Sequence, residues 1–170
     1  MSEEMLNELK QIGLKIGKNV DIMSETIIDR SHAFLIEIGD NVTLAHRVYI
    51  LAHDASTKKQ LGYTKIGRVK IGNNVFIGAQ SIVLPNTTIG NHVIIGAGSV
   101  VSKNIPDNSV AVGNPAKVIC SYEEYMAKNA EMMKNRKLFS QDYTLRNPNL
   151  TEEMKQEMIE ATKDGFCYIV

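Results

Sequence analysis

The stretch that decides the fold is residues 71–106, IGNNVF IGAQSI VLPNTT IGNHVI IGAGSV VSKNIP. Each six-residue unit opens with an aliphatic residue: Ile71, Ile77, Val83, Ile89, Ile95 and Val101. A period of six does not fit an amphipathic helix, whose apolar face recurs at three and four residues. Glycine follows the aliphatic residue in most units, and inside a helix each would cost about 1 kcal/mol relative to alanine. The repeat therefore predicts a solenoid of short strands with continuous inward ladders of aliphatic side chains.

The same phase occurs earlier in the chain, with two interruptions. Its units open at Ile16, Ile22, Ile28, Ile38, Leu44 and Ile50. Glycine or asparagine beside these residues is expected to permit the turning backbone, including positive φ. The first interruption adds a few residues near HAFL, and the second contains STKKQLGYTKIGRVK, residues 56–70. Loops of that length in a compact domain are usually functional or disordered, and this one is predicted to protrude.

The two ends of the chain differ in kind from the repeat. Residues 1–12 carry apolar residues at helical spacing and predict a short N-terminal cap helix. The repeat domain is then expected over 13–119, followed by a helical C-terminal extension over 120–170. Solenoid ends need caps that block edge pairing, which is the simplest role for both segments.

Two helices are predicted in the C-terminal extension, over about 121–134 and about 151–162. Ser121 with Glu124 forms a capping box, and Thr151 precedes two glutamates. The segment 135–150 is expected to be a linker, and the final FCYIV a short strand.

Composition excludes several classes of partner. Lys+Arg and Asp+Glu are balanced at 19 each, so no basic excess marks a nucleic-acid or anionic-membrane binder. Two cysteines near the C-terminus do not make a disulfide framework. The acidic, amphipathic N-terminus is unlike a signal peptide, and no apolar stretch approaches transmembrane length. A reducing cytoplasm is the expected location.

Residues 12–119 resemble the hexapeptide-repeat acyltransferases, and the motifs IGAQSIVLP, IGAGSVVSKNIP and VGNPAKVI carry most of the likeness. The resemblance is strongest to sugar and polysaccharide O-acetyltransferases, such as galactoside and maltose acetyltransferases. It implies a mainly β fold: a left-handed parallel β-helix with three hexapeptides in each triangular coil. It also implies acetyl transfer from acetyl-CoA to a hydroxyl, with a histidine general base and no metal needed for catalysis. Members are homotrimers with active sites between subunits, and a role in bacterial surface polysaccharide biosynthesis is expected.

His53, in HDAS just before the protruding loop, matches the family's catalytic position. A sugar hydroxyl is a poor nucleophile until a base takes its proton, and neutral imidazole is available near pH 7. Asp54 either orients this imidazole or caps the turn into the loop, and the adjacency of the two residues favours the cap. His32, one coil below, either lines the acceptor pocket or is a structural histidine. Tyr63 and the loop lysines either bind the acceptor or keep an exposed loop in solution.

The resemblance also indicates residues for the acetyl donor. Ala79 and Ala97 match small positions where backbone groups meet the pantetheine arm, although small residues also suit coil packing. Ser102 and Lys103 match positions near the distal end of CoA. Lys103 and Lys117 are candidates for its phosphates, or simply solvated charges. The glycines belong to the repeat, and no Walker-type lysine follows them.

Three other functions remain open. N-acetylation of a nucleotide-linked amino sugar would use the same machinery on an amine. A γ-type carbonic anhydrase shares the solenoid, but it needs three histidines on zinc, and His46 and His53 are spaced too widely for the pattern of that family. A non-catalytic assembly subunit would not need the histidine, the small residues and the lysines together.

Overall fold

Three sheets wind through the first part of the chain, and they are parallel except for the last strand of the second sheet, which is antiparallel. The computed structural model describes residues 1–170 and divides into two units, Met1–Glu123 and Glu124–Val170. The first sheet contains β1 (Lys15–Ile16), β4 (Ile36–Ile38), β9 (Val69–Ile71) and β12 (Thr87–Ile89). The second contains β2 (Asp21–Ile22), β5 (Val42–Leu44), β10 (Val75–Ile77), β13 (Val93–Ile95), β15 (Ser109–Val112) and β16 (Lys117–Ser121). The third contains β3 (Ile27–Ile28), β6 (Tyr49–Ile50), β11 (Ile82–Val83) and β14 (Val100–Val101). From β1 to β14, apart from an inserted pair after β6, successive strands visit the three sheets in turn, and each set of three is one coil.

The strand register places the aliphatic residues of the repeat in three inward ladders, as the six-residue period predicts. One ladder is Ile16, Ile38, Ile71 and Ile89. A second is Ile22, Leu44, Ile77 and Ile95, and the third is Ile28, Ile50, Val83 and Val101. Nearly all of these side chains are buried. Burial of each contributes about 1.5–3 kcal/mol, so the ladders are the main source of stability for the coils.

Glycine and asparagine have different roles at the corner between the first and second sheets. The residues with positive φ there are Asn19, Asn41, Asn74, His92 and Asn108. The glycines that precede them lie outside the positive-φ region. Gly39 is needed for another reason, because a Cβ there would lie 2.6 Å from the carbonyl oxygen of Gly72 in the next coil. The expected positive φ at these turns is therefore confirmed for asparagine and not for glycine, which instead allows the coils to approach.

The insertion after the third sheet is an ordered arm. His53–Asp54 (β7) pairs antiparallel with Lys65–Ile66 (β8), and a short helix, α2 (Lys58–Leu61), lies between them. The predicted end of the loop at residue 70 is wrong, because Val69 is fully buried and already pairs within the first sheet. The chain thus leaves the solenoid after the third sheet and returns in phase for the next coil.

The N-terminal helix is present as predicted. It runs over Glu3–Ile12 (α1), with the Ser2 hydroxyl accepting a hydrogen bond from the Met5 N–H and Gly13 ending it in a left-handed conformation. Leu9 is buried in the same cluster as the ladder residues of the coils. The helix therefore adds its apolar side to the solenoid core.

The second unit contains the predicted helices and the predicted terminal strand, which pairs with a strand that was not predicted. The helices are α3 (Tyr122–Met133, which begins in the first unit) and α4 (Glu152–Ala161). Leu138–Phe139 (β17) pairs in parallel with Tyr168–Ile169 (β18). The linker expected over 135–150 is therefore wrong at Phe139, which is buried with its ring 4.8 Å from that of Tyr143. None of the helices has both the length and the apolar character that crossing a membrane would require.

Replacing Ile89 by alanine is expected to lower the free energy of unfolding by about 2–5 kcal/mol, because the ladder cannot close around the cavity. Ile89 is 1% exposed. The matched control is Thr88→Ala on the same strand, whose side chain faces solvent and whose loss is expected to cost about 0.5 kcal/mol or less. Urea unfolding followed by circular dichroism measures both. Equal destabilisation by the two substitutions would contradict the inward ladder.

Candidate active site

His53 lies where the chain leaves the third sheet. Ile50 is still in the inward ladder, and Ala52 is fully buried. The N–H of Gly67 donates to the Ala52 carbonyl at 3.0 Å, which ties both ends of the arm to the coil. The His53 side chain is 37% exposed, so the imidazole is positioned by ordered backbone and remains open to solvent.

The partner of His53 is Asp29, one coil below. His53 Nδ1 lies 2.5 Å from Asp29 Oδ2, and the Asp29 side chain is only 2% exposed. The same carboxylate accepts hydrogen bonds from the N–H groups of Ala52 (3.0 Å) and Ser31 (3.1 Å). Burial alone would raise the pKa of Asp29, but the hydrogen bonds from His53 and Ala52 outweigh it and hold the pKa below its ordinary value.

The ionised carboxylate fixes the tautomer of His53. A carboxylate only accepts hydrogen bonds, so the proton between the two groups is on Nδ1 of the neutral imidazole. Nε2 then keeps its lone pair, which is the form a general base requires. This is the arrangement of base and orienting acid found in nucleophile-activating triads.

Asp29 was not among the residues predicted from the sequence. Its signal is positional: Asp29 follows the ladder residue Ile28 directly, whereas Leu51 and Leu84 follow the corresponding residues of the next two coils. In the fourth coil the residue at this phase is Ser102, so Asp29 is the charged member of a row that is otherwise neutral.

Asp54 has partners other than His53. Its carboxylate accepts from the Ser56 N–H at 2.8 Å and pairs with Lys65 Nζ at 2.5 Å. The Lys65 ammonium and the Ser56 N–H lower the pKa of Asp54. This geometry matches the turn-capping alternative, and it also occupies Lys65, one of the lysines considered for acceptor binding.

His32 lies beside the pair. Its ring centroid is 5.2 Å from that of His53, and its Nδ1 is 3.9 Å from Asp29 Oδ2. That Nδ1 is buried and has no hydrogen-bond partner. Asp29, His32 and His53 each offer a ligand atom, all within 4.8 Å of one another, so they are a group that could hold a metal ion. His46 is not part of it and bonds Ser24 at the corner between the second and third sheets.

The residues predicted to bind the acetyl donor, acetyl-CoA, lie apart from His53. Ala79 and Ala97 occupy one corner in successive coils, between the second and third sheets, where the Gly98 N–H donates to the Ala79 carbonyl at 2.8 Å. We call these two residues the donor row. Ser102, Lys103 and Lys117 are exposed, as is Tyr63 on the arm. The third sheet therefore separates the donor row from His53 within one chain.

Replacing Asp29 by asparagine is expected to destabilise the protein most at neutral pH and less in acid. The pKa of Asp29 lies below its ordinary 3.8 in the folded state, so the stabilisation from the ionised carboxyl is present above that value. It is lost as the pH falls through the folded pKa, whereas asparagine has no proton to gain. The difference in free energy of unfolding between the wild type and the variant should shrink from about pH 7 to about pH 3.

Urea unfolding of both proteins at a series of pH values measures this difference. A difference that stays constant over the whole range would show that the charge of Asp29 does not contribute to stability.

Comparisons with known proteins agree with the fold. Residues 68–103 match the family described as bacterial transferase hexapeptide (six repeats). Protein CapG of Staphylococcus aureus is 44% identical over 133 residues, which is 74% of this chain and 76% of CapG. The crystal structure of a maltose O-acetyltransferase from Clostridium difficile 630 is 36% identical, with a TM-score of 0.56 over 70% of this chain and 75% of that one. A hexapeptide-repeat acetyltransferase from Vibrio cholerae O1 biovar eltor, in complex with acetyl coenzyme A, has a TM-score of 0.59 and 23% identity over 65% of this chain and 61% of its own, a likeness of fold alone. The chain belongs to the bacterial hexapeptide-repeat family and is an acyltransferase of that family.

Proposed function

We propose that this protein is an acetyl-CoA-dependent O-acetyltransferase that acts on a sugar hydroxyl in bacterial surface polysaccharide biosynthesis. The observation that carries the proposal is the hydrogen bond between His53 and the buried carboxylate of Asp29. The similarity to a maltose O-acetyltransferase supports a sugar hydroxyl as acceptor. The left-handed winding of the coils, expected from the family, is part of this proposal.

In this proposal, His53 and Asp29 together transfer the proton through Nε2 of His53. Nε2 of His53 accepts the proton of the acceptor hydroxyl as its oxygen attacks the thioester carbonyl of acetyl-CoA. Asp29 stabilises the imidazolium that forms, because its carboxylate is held ionised by backbone N–H groups. Collapse of the tetrahedral intermediate breaks the carbon–sulfur bond, and His53 returns the proton to the CoA sulfur. Backbone N–H groups stabilise the oxyanion of that intermediate.

The donor row provides the surface for the acetyl donor. Ala79 and Ala97 leave the corner backbone accessible, and Ala97 is exposed. A larger side chain there would block an extended pantetheine arm. Ser102, Lys103 and Lys117 are exposed near the end of the solenoid, and the two ammonium groups suit the phosphates of CoA.

The proposal includes a homotrimer, and the separation of these two parts supports an active site between subunits. His53 and the donor row flank the third sheet on opposite sides, so an active site between subunits would join His53 of one chain to the donor row of another. The outward row of that sheet is apolar: Ile27, Tyr49, Ile82 and Val100. The outward row of the first sheet is polar: Lys15, Glu37, Lys70 and Thr88. The apolar face beside the site is therefore the one that a second copy would cover.

Replacing His53 by alanine is expected to lower turnover about 10²- to 10⁴-fold, because the hydroxyl loses its proton acceptor. Release of the CoA thiol in the presence of a panel of sugars and amino sugars measures it and also separates O- from N-acetylation. The matched control is His92→Asn, since asparagine occupies the same corner position in the other coils. Near-normal turnover of His53→Ala, with the circular dichroism of the wild type, would contradict the assignment.

Replacing Asp29 by asparagine is expected to lower kcat by a comparable factor with a smaller change in KM, because the variant no longer holds the base in the correct tautomer. ¹⁵N NMR of His53 should report the Nδ1–H tautomer in the wild type and a mixture in the variant. A drop in kcat with the tautomer unchanged would assign Asp29 a merely structural role.

A further inference from the structure

The geometry points to a second property of this site: Asp29, His32 and His53 form a binding site for a divalent transition metal ion such as Zn²⁺, and the bound ion blocks acyl transfer. The inhibition rests on the proposed function, whereas the binding does not.

The three ligand atoms are close to the spacing that such an ion requires. Zinc bonds to imidazole nitrogen and carboxylate oxygen are about 2.0–2.2 Å long, so ligand atoms around a tetrahedral ion lie about 3.4 Å apart. Asp29 Oδ2 is 2.5 Å from His53 Nδ1 and 3.9 Å from His32 Nδ1. The first separation must widen and the second must shorten, each by about 1 Å or less. Side-chain rotations of two partly exposed imidazoles can supply this.

The buried nitrogen of His32 is an independent indication of a ligand. Nearly all buried polar atoms in proteins have a hydrogen-bond partner, and those without one need an explanation. His32 Nδ1 is the buried side-chain polar atom that has none, and it lies 3.9 Å from Asp29 Oδ2. A metal ion held by Asp29 and His53 would give this nitrogen its partner.

The donor set determines the kind of ion. Two imidazole nitrogens and one carboxylate suit Zn²⁺ and its neighbours in the transition series, whereas Mg²⁺ and Ca²⁺ prefer sets made of oxygen alone. Three protein ligands leave a fourth position for water. The side chains of His53 and His32 are 37% and 26% exposed, so an ion can enter from solvent.

Binding would remove the base by a change of tautomer. In the hydrogen-bonded pair, His53 carries its proton on Nδ1 and its lone pair on Nε2. An ion on Nδ1 uses that nitrogen's lone pair, and the single proton of the neutral ring then resides on Nε2. The ring remains neutral, but Nε2 has become a donor and can no longer accept the hydroxyl proton. Metal binding and proton acceptance by His53 are therefore mutually exclusive.

The test titrates the full chain, purified without a histidine tag. Zn²⁺ binding is followed by calorimetry and Co²⁺ binding by its visible absorption. We expect one equivalent per chain, an affinity at least about 10-fold weaker in His32→Gln, and no change in His92→Asn. Mg²⁺ should not compete. Absence of stoichiometric binding, equal binding by the two variants, or equal affinity for Mg²⁺ would overturn the proposal.

A second arm measures acetyl transfer. Zn²⁺ should inhibit the wild type reversibly, with activity restored by a chelator, and His32→Gln should need at least about 10-fold more Zn²⁺ for half-inhibition of whatever activity it retains. Full activity with the ion bound would overturn the inhibition. Metal binding without acetyl transfer to any acceptor would contradict the proposed function and leave the site standing. If His53→Ala loses acetyl transfer but the wild type binds no metal, the metal site is contradicted and the proposed function stands.

Discussion

The in-register stacking of the coils is the constraint on which the rest of the structure depends. Each coil pairs its backbone with the coils above and below, so residues at the same phase form rows along the solenoid. Close approach is possible because glycine occupies the tightest points, as at Gly39 against Gly72. Stacking also makes distant residues neighbours: Asp29 and His53 are 24 positions apart in the chain and share a hydrogen bond. The stacking of the repeat therefore positions polar side chains such as these in the same way as it positions the aliphatic side chains of the core.

The candidate site lies where two insertions interrupt the repeat. Asp29 and His53 both follow strands of the third sheet, β3 and β6, in consecutive coils, and an insertion begins at each. A side chain in the regular part of a row points either into the ladder or out to solvent. At an insertion the backbone can turn a carboxylate inward and place an imidazole over it. The two interruptions of the repeat are therefore one structural feature, stacked at one corner of the solenoid.

Much of this could be read from the sequence, because the phase of a repeat is a property of the chain alone. The three ladders follow from the spacing of residues such as Ile38, Ile71 and Ile89. The spacing also places Asp29 in the row after the third-sheet ladder, but it does not predict the hydrogen bond with His53, which depends on how the two side chains are oriented. The roles of glycine and asparagine depend on distances between coils, and the pairing of Phe139 with the C-terminal strand depends on a contact between distant segments.

The burial of Asp29 bears on whether the solenoid is catalytic or only structural. The other coils have Leu51, Leu84 and Ser102 at this phase, so the fold does not require a carboxylate there. Burying a carboxylate there costs desolvation, which the hydrogen bonds from His53 and Ala52 outweigh. Asp29 accepts hydrogen bonds from three donors: the N–H groups of Ser31 and Ala52, and the partly exposed His53 at the base of the arm. This arrangement holds the imidazole in one tautomer, which supports the proposed catalytic role over a purely structural one.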